Sequence, residues 1–341
     1  MTRYWRARSL EIDKSIFKDA EAYAVYLNQE YQKAIEEIDR LISYHLMKIS
    51  DEQGVSLQGA KQLLSVKERL RLENFIKLSQ MEMTEPLNRA LNLESRRARI
   101  SRLQAMELEL KTSIAKLMTR EEKGLYAQLE KTYTNKYYQT IYGMQRITGF
   151  ETLAKVDPER LKTIILNPWL EDGSNFSDRI WGRGDKLVMT LRKELTQSLA
   201  LGRHPKEIAK QFAKTMNTSR SNAYRLLMTE TSAINSKANQ DAFEKLGAPM
   251  YEINATLDMR TSYICREMDG RKFEMKDYKL GITAPPFHPY CRTTIIPSFN
   301  DDIEREIDEA VGRIARRTRT GKSRRVGNLT YKEWFEKYVN Q

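Results

Sequence analysis

The chain has 341 residues, 40% hydrophobic and 30% charged, which suffices for two domains or one elongated one with a sizeable core. No uninterrupted apolar run approaches the roughly 20 residues that span a bilayer, and the opening MTRYWRARSLEIDKS lacks the apolar core of a secretory signal, so the chain is expected to stay where it is made. Two cysteines cannot build a disulfide framework, and 58 Lys and Arg against 46 Asp and Glu leave a net charge of +12, which suits contact with phosphates or an acidic surface.

From Arg3 to about Ile147 the pattern predicts long helices. Ile12, Ile16, Tyr23, Leu27, Ala34, Ile38, Leu41 and Ile42 keep returning to one face of a 3.6-residue period. A helix of roughly forty residues extends about 60 Å. Gly54 interrupts it, and Ser65 with Glu68 makes a capping box for the next helix. Pro86 suits the first turn of a further helix carrying Leu87, Leu91, Ile100, Leu103, Leu110, Ile114 and Leu117, and Thr119 with Glu122 offers another cap. Beyond it Tyr133, Tyr137, Tyr138 and Tyr142 lie near Lys136 and Arg146. That set could be an aromatic, basic nucleic-acid surface. Half-buried packing or a protein interface is the preferred reading, since the ring is apolar while the hydroxyl can stay wet.

Asp157-Pro158 starts a second helical block, which runs through Asn167-Pro168-Trp169 into a loop. A helix is predicted from Ser177, with Trp181, Leu187, Val188, Leu191, Leu195 and Leu199, to Gly202. His204-Pro205 opens a short helix, with His204 a turn residue without chemistry. Gly247 followed by Pro249 closes the long helix before the pattern changes. YEINATL, RKFEM and TTIIP are then short β-branched or alternating segments, expected to form a two- or three-stranded sheet packed on the preceding helices.

The predicted fold is mainly α: long N-terminal helices, a helical middle region and a small α+β C-terminal module. The organisation reads as a long-helix region for protein docking over 1–150, a helical domain over 151–250, the module over 251–300, and a charged linker and tail over 301–341. In that tail acids dominate Asp301 to Glu309, while Arg313, Arg316, Arg317, Arg319, Lys322, Arg324 and Arg325 follow with no acid among them. The block is either a solvated helix fraying into a basic linker or a contact to DNA or an acidic partner.

The densest stretch is Ala255 to Pro297, which holds both cysteines, one of three histidines and a double proline. Its order is AT-x-D-x-R-T, then I-C-R-x-x-D-G, then PP-x-HP-x-CR. Ala255-Thr256, Asp258, Arg260-Thr261, Cys265-Arg266, Asp269-Gly270, Pro285-Pro286, His288-Pro289 and Cys291-Arg292 supply the fixed positions. This resembles the C-terminal signature of the phage head morphogenesis family typified by phage Mu protein F. Two positions depart: the fuller family pattern has cysteines where Ser262 and Thr293 stand. The helical run Ala223 to Leu246, containing TETSAINSKANQDAFEKL, resembles the helix before that signature. TYKEW, from Thr330 to Trp334, resembles the closing motif of minor head proteins from phages of Gram-positive hosts.

The resemblance implies a minor capsid protein: a low-copy component that joins the procapsid, commonly through the portal protein, and assists assembly and DNA packaging or delivery. Portal, capsid and scaffold proteins, and packaged double-stranded DNA, are the implied partners. The implied location is the phage head, with the host cytoplasm during assembly. The runner-up is a DNA-binding accessory protein of the head.

The fuller family pattern has paired soft ligands suited to a structural zinc. This chain keeps Cys265, His288 and Cys291, so Asp258, Asp269 or a water would have to complete the set. The preferred alternative has small buried cysteines, with His288 bonded to a backbone carbonyl in a loop stiffened by Pro285, Pro286 and Pro289, and no cofactor. Asp258, Arg260, Asp269, Gly270, His288 and Arg292 then form a structural polar network. A nuclease is the least favoured class, because no second histidine or carboxylate pair accompanies His288. Glu230, Thr231 and Ser232 look like a polar knot, with Glu230 expected to partner Arg225 or Arg260; no catalytic residue is assigned.

Overall fold

The computed structural model describes residues 2–51, 54–55, 57–96, 100–148, 155–201, 203 and 205–299. Helix α1 (Thr2–Ile49) leads into a two-residue hairpin, β1 (Ser50–Asp51) and β2 (Gly54–Val55), then α2 (Leu57–Lys61), α3 (Val66–Ser79), α4 (Glu85–Ser95), α5 (Arg102–Thr148), α6 (Pro158–Leu166), α7 (Phe176–Ala200) and α8 (Pro205–Lys245). The pattern then changes to β3 (Met250–Asn254), α9 (Tyr263–Met268), β4 (Lys272–Glu274) and β5 (Thr294–Ser298). The fold is mainly α with a small three-stranded sheet near the C-terminus, as the periodicity predicts. Among the described residues no helix is long and apolar enough to cross a membrane.

The predicted caps mostly form. Ser65 accepts from the Glu68 amide at 3.3 Å while Glu68 accepts from the Ser65 amide at 2.9 Å, the reciprocal capping box of α3. Pro86 sits in the first turn of α4, and Asp157 caps α6 by accepting from Glu159 N at 3.1 Å. Gly247, at φ 70°, ends α8 in the left-handed region, where glycine carries no Cβ penalty.

Four expectations change. The apolar run from Pro86 to Leu117 is not one helix: Ile100 lies between α4 and α5, and its carbonyl accepts from Leu64 N at 2.9 Å. A buried residue in an extended link satisfies the same spacing as a helical one. Thr119 caps nothing, since it sits inside α5 and its hydroxyl donates to Ala115 O at 2.9 Å. The helix opening at Pro205 is not short; it runs on through the TETSAIN segment for 41 residues because no Gly or Pro breaks it. Finally, Tyr133, Tyr137, Tyr138 and Tyr142 are buried rather than half-buried. Gly202 and His204 lie outside the described residues.

By contacts the chain divides into two compact units, one of residues 1–22, 126–175 and 225–341, the other of residues 23–125 and 176–224. In the second unit, buried Glu109 of α5 meets His45 Nε2 at 3.2 Å and Arg71 at 2.7 Å, and the Arg71 guanidinium lies 3.7 Å from the Tyr44 ring centre. The two contacts on one buried carboxylate tie α1, α3 and α5 together. The first unit holds the sheet. Its core joins Trp5 of α1, Met144 of α5 and Phe243 of α8 to Tyr251, Ile253 and Ile295 of the strands.

Beneath that core lies a buried polar pair. Lys136 donates to Asp13 at 2.6 Å, and Asn235 donates to the same oxygen at 2.9 Å. Burial lowers the Lys136 pKa against the pull of Asp13. We predict that Asp13→Ala, which leaves an ammonium buried without its carboxylate, lowers stability by about 3–5 kcal/mol. Denaturant unfolding checks this, and Asp13→Leu with Lys136→Met should recover most of the loss.

Candidate functional site

The site is assembled by the sheet. β3 pairs antiparallel with β4 on one edge and with β5 on the other, with Tyr251 opposite Phe273 and Pro297. The loop after β3 and helix α9 therefore close against the proline-rich loop that precedes β5. Ser262 caps α9, its hydroxyl accepting from Cys265 N at 3.3 Å, and this turns Cys265 inward beside Ala255 and Cys291, with Phe287 packed against them. Pro285-Pro286 is a cis peptide, and Tyr290, at φ 61°, turns the chain from His288 into Cys291.

Cys265 Sγ lies 3.1 Å from His288 Nε2 and 3.6 Å from Cys291 Sγ. His288 Nδ1 stands 2.7 Å from the Pro289 carbonyl oxygen. A proton on Nδ1 satisfies that contact. Cys291 accepts from the Cys265 thiol, which, with backbone N–H groups of Phe287 and Thr293, brings its pKa down to about 6 despite burial; the donating Cys265 is pushed up. Of the two positions that depart from the family pattern, Ser262 bonds to the Cys265 amide and Thr293 is buried two residues after Cys291.

The donor set fits zinc. All three ligand atoms lie within 4.8 Å of one another, and two thiolates on one tetrahedral zinc stand roughly 3.8 Å apart, close to the 3.6 Å seen here. The carbonyl behind Nδ1 is the support that metal-bound imidazoles use. Asp258 and Asp269 are engaged elsewhere.

Asp258 organises the adjoining loop. Its two carboxylate oxygens take a bidentate fork from Arg292, both at 2.7 Å, and its Oδ1 also accepts from Arg260 N at 2.8 Å. The fork holds the Asp258 carboxyl well below the usual carboxylate range. Thr261 closes the same turn, accepting from Asp258 N at 2.9 Å and donating to the Thr256 carbonyl. Thr256 in turn donates to Arg292 O at 3.2 Å. Asp269 accepts from Ala255 N at 2.8 Å and meets Arg6 at 3.7 Å. Gly270 follows at φ 76°, its amide donating to Ile253 O at 2.9 Å. The structure thus gathers Asp258, Cys265, Asp269, Gly270, His288, Cys291 and Arg292 in one knot. Arg260 joins it through its backbone, with its side chain exposed.

Glu230 is elsewhere: it accepts from the Trp169 indole N–H at 2.9 Å, and the buried Thr231 and Ser232 hydroxyls have no hydrogen-bond partner. The basic block Arg313 to Arg325 and the TYKEW segment lie outside the described residues. Asn239 was not singled out by sequence reasoning. It accepts from Thr140 at 3.0 Å and donates to Thr294 at 3.2 Å and Ile295 O at 3.1 Å, fastening β5 to α8. The available sign was an Asn four residues after Asn235, on a helix face that also carries Ser236 and Ala242.

Residues 189–296 match the family model described as phage Mu protein F like protein. No curated protein and no solved structure matches the chain at a significant level.

Because the folded-state pKa of Asp258 is depressed, its fork stabilises the loop above the ordinary carboxylate pKa of about 4 and is lost only as pH falls towards the folded value. Hydrogen exchange should find the amides of residues 256–262 still protected near pH 3 in the wild type, and unprotected at both pH 3 and pH 7 in Asp258→Asn.

Proposed function

Residues 189–296 belong to the phage Mu protein F-like family, and from that premise we propose that the chain is a minor capsid protein of a tailed phage that joins the procapsid through the portal and assists DNA packaging and delivery. Head morphogenesis is what the family points to. The observation that carries the reading is the convergence of the signature, from Ala255 to Arg292, on a single hydrogen-bonded knot. A rigid module of that kind suits docking, where little ordering entropy is lost on binding. The knot is structural in this proposal: its two sulfurs are buried and face each other and the imidazole.

The runner-up, DNA binding, rests on the net charge of +12 and the acid-free run from Arg313 to Arg325. Salt separates the two. Phosphate contacts release counterions and weaken steeply between low and moderate salt, while docking of apolar faces persists. The tagged chain, drawn from nuclease-treated lysate of phage-producing cells and washed at moderate salt, should retain portal and capsid proteins. Recovery of nuclease-sensitive DNA alone would replace this reading with the second.

Cys265, His288 and Cys291 would hold a zinc, with water or a neighbouring hydroxyl in the fourth position, and the metal would supply folding energy rather than reactivity. One equivalent of zinc should raise the melting temperature of the reduced chain and a chelator should reverse the rise, with Cys265→Ser insensitive to both. Equal melting temperatures with and without zinc would leave the cluster as a hydrogen-bonded fastener.

A further inference from the structure

The loop between β3 and α9, together with the first turn of α9, carries four exposed large apolar side chains. Met259 is 95% exposed, Tyr263 78%, Leu257 63% and Ile264 43%, all within eight residues. Lone exposed apolar residues need no explanation, but four on one short segment do. The segment is also held from within. The Arg292 fork on Asp258, the Thr261 contacts to Asp258 and Thr256, and the Ser262 cap fix its backbone from both sides. Apolar side chains on a backbone already fixed lose little further freedom on contact, which favours binding.

The exposed charge around this segment is mostly positive. Its two nearby aspartates are committed, Asp258 to Arg292 and Asp269 to the Ala255 amide and Arg6. Arg260, Arg266, Arg271 and Lys272 are exposed, opposed by exposed Glu267. A phosphate backbone would use the cations but gain nothing from Met259, Leu257 and Ile264. A second copy of a chain with net charge +12 would bring like charge to the contact.

We propose that Leu257, Met259, Tyr263 and Ile264, flanked by Arg260 and Arg266, form a docking surface for an acidic segment with an apolar face on another protein of the phage head. The proposal rests on the head-protein reading above and assigns the surface through which that reading acts. Met259 and Tyr263 are the anchors, being the largest and most exposed of the set, and the arginines steer the partner and fix its register.

The full-length chain is mixed, after nuclease treatment and at moderate salt, with the purified portal protein and separately with the purified major capsid protein of the phage that encodes it. Sedimentation or interferometry measures the affinity. The wild type should bind one of the two. Met259→Asp with Tyr263→Ala should weaken that binding at least about tenfold with an unchanged melting temperature, and Arg260→Glu with Arg266→Glu should weaken it severalfold. Wild-type affinity in both double variants would overturn the assignment of the surface and leave the head-protein reading standing. The assignment would also fall if the wild type were a dimer that the apolar variant dissolves, or if binding emerged only after removal of residues 301–341, whose acidic stretch Asp301 to Glu309 would then be the occupant. A wild-type chain that binds neither protein would overturn the head-protein reading itself.

Discussion

Strand β3 must find backbone partners on both edges. Tyr251 to Asn254 are buried, and a buried strand cannot leave its N–H and C=O groups to water. One edge is filled by β4, close in sequence, and the other by β5, which begins forty residues after β3 ends. That second pairing brings Cys291 and Arg292, at the mouth of β5, against Cys265 and Asp258, which follow β3. The sulfur cluster and the arginine fork are both consequences of one strand satisfying its backbone.

The sheet is too small to stand alone, and its anchorage is polar as well as apolar. Asn239 of α8 ties Thr140 of α5 to the first residues of β5. Lower on the same helix Asn235 shares Asp13 with Lys136. Buried hydrogen bonds of this kind add modest net stability but heavily penalise any arrangement that leaves them unmade. They select one seating of the sheet on α1, α5 and α8, and with it one placement of the knot.

Within the knot, two thiols stand where the fuller family pattern, which this segment resembles, has four. Ser262 and Thr293 stand where the fuller pattern has cysteines, and Thr293 is buried. Ser262 gains a further role as the N-cap of α9, which an oxygen performs better than a sulfur. Cys265, His288 and Cys291 are in direct contact, and the forked and capped loop in front of them presents apolar side chains to solvent.

The helical character of the chain, the caps at Ser65, Pro86 and Asp157, and the change to strands after Gly247 were legible in the sequence, because they depend on local spacing and on residues with fixed backbone preferences. So were the members of the knot, whose order along the chain is itself the signature. Burial was not. Lys136 and the tyrosines around it read as half-buried packing or a protein interface, with a basic nucleic-acid surface as the alternative, and Ile100 as one more helical position, because periodicity records which residues share a side and not what covers that side. The partners of Asp258, Asp269, Glu230 and Asn239 lie tens to hundreds of positions away, and only the closed fold brings them within hydrogen-bonding distance.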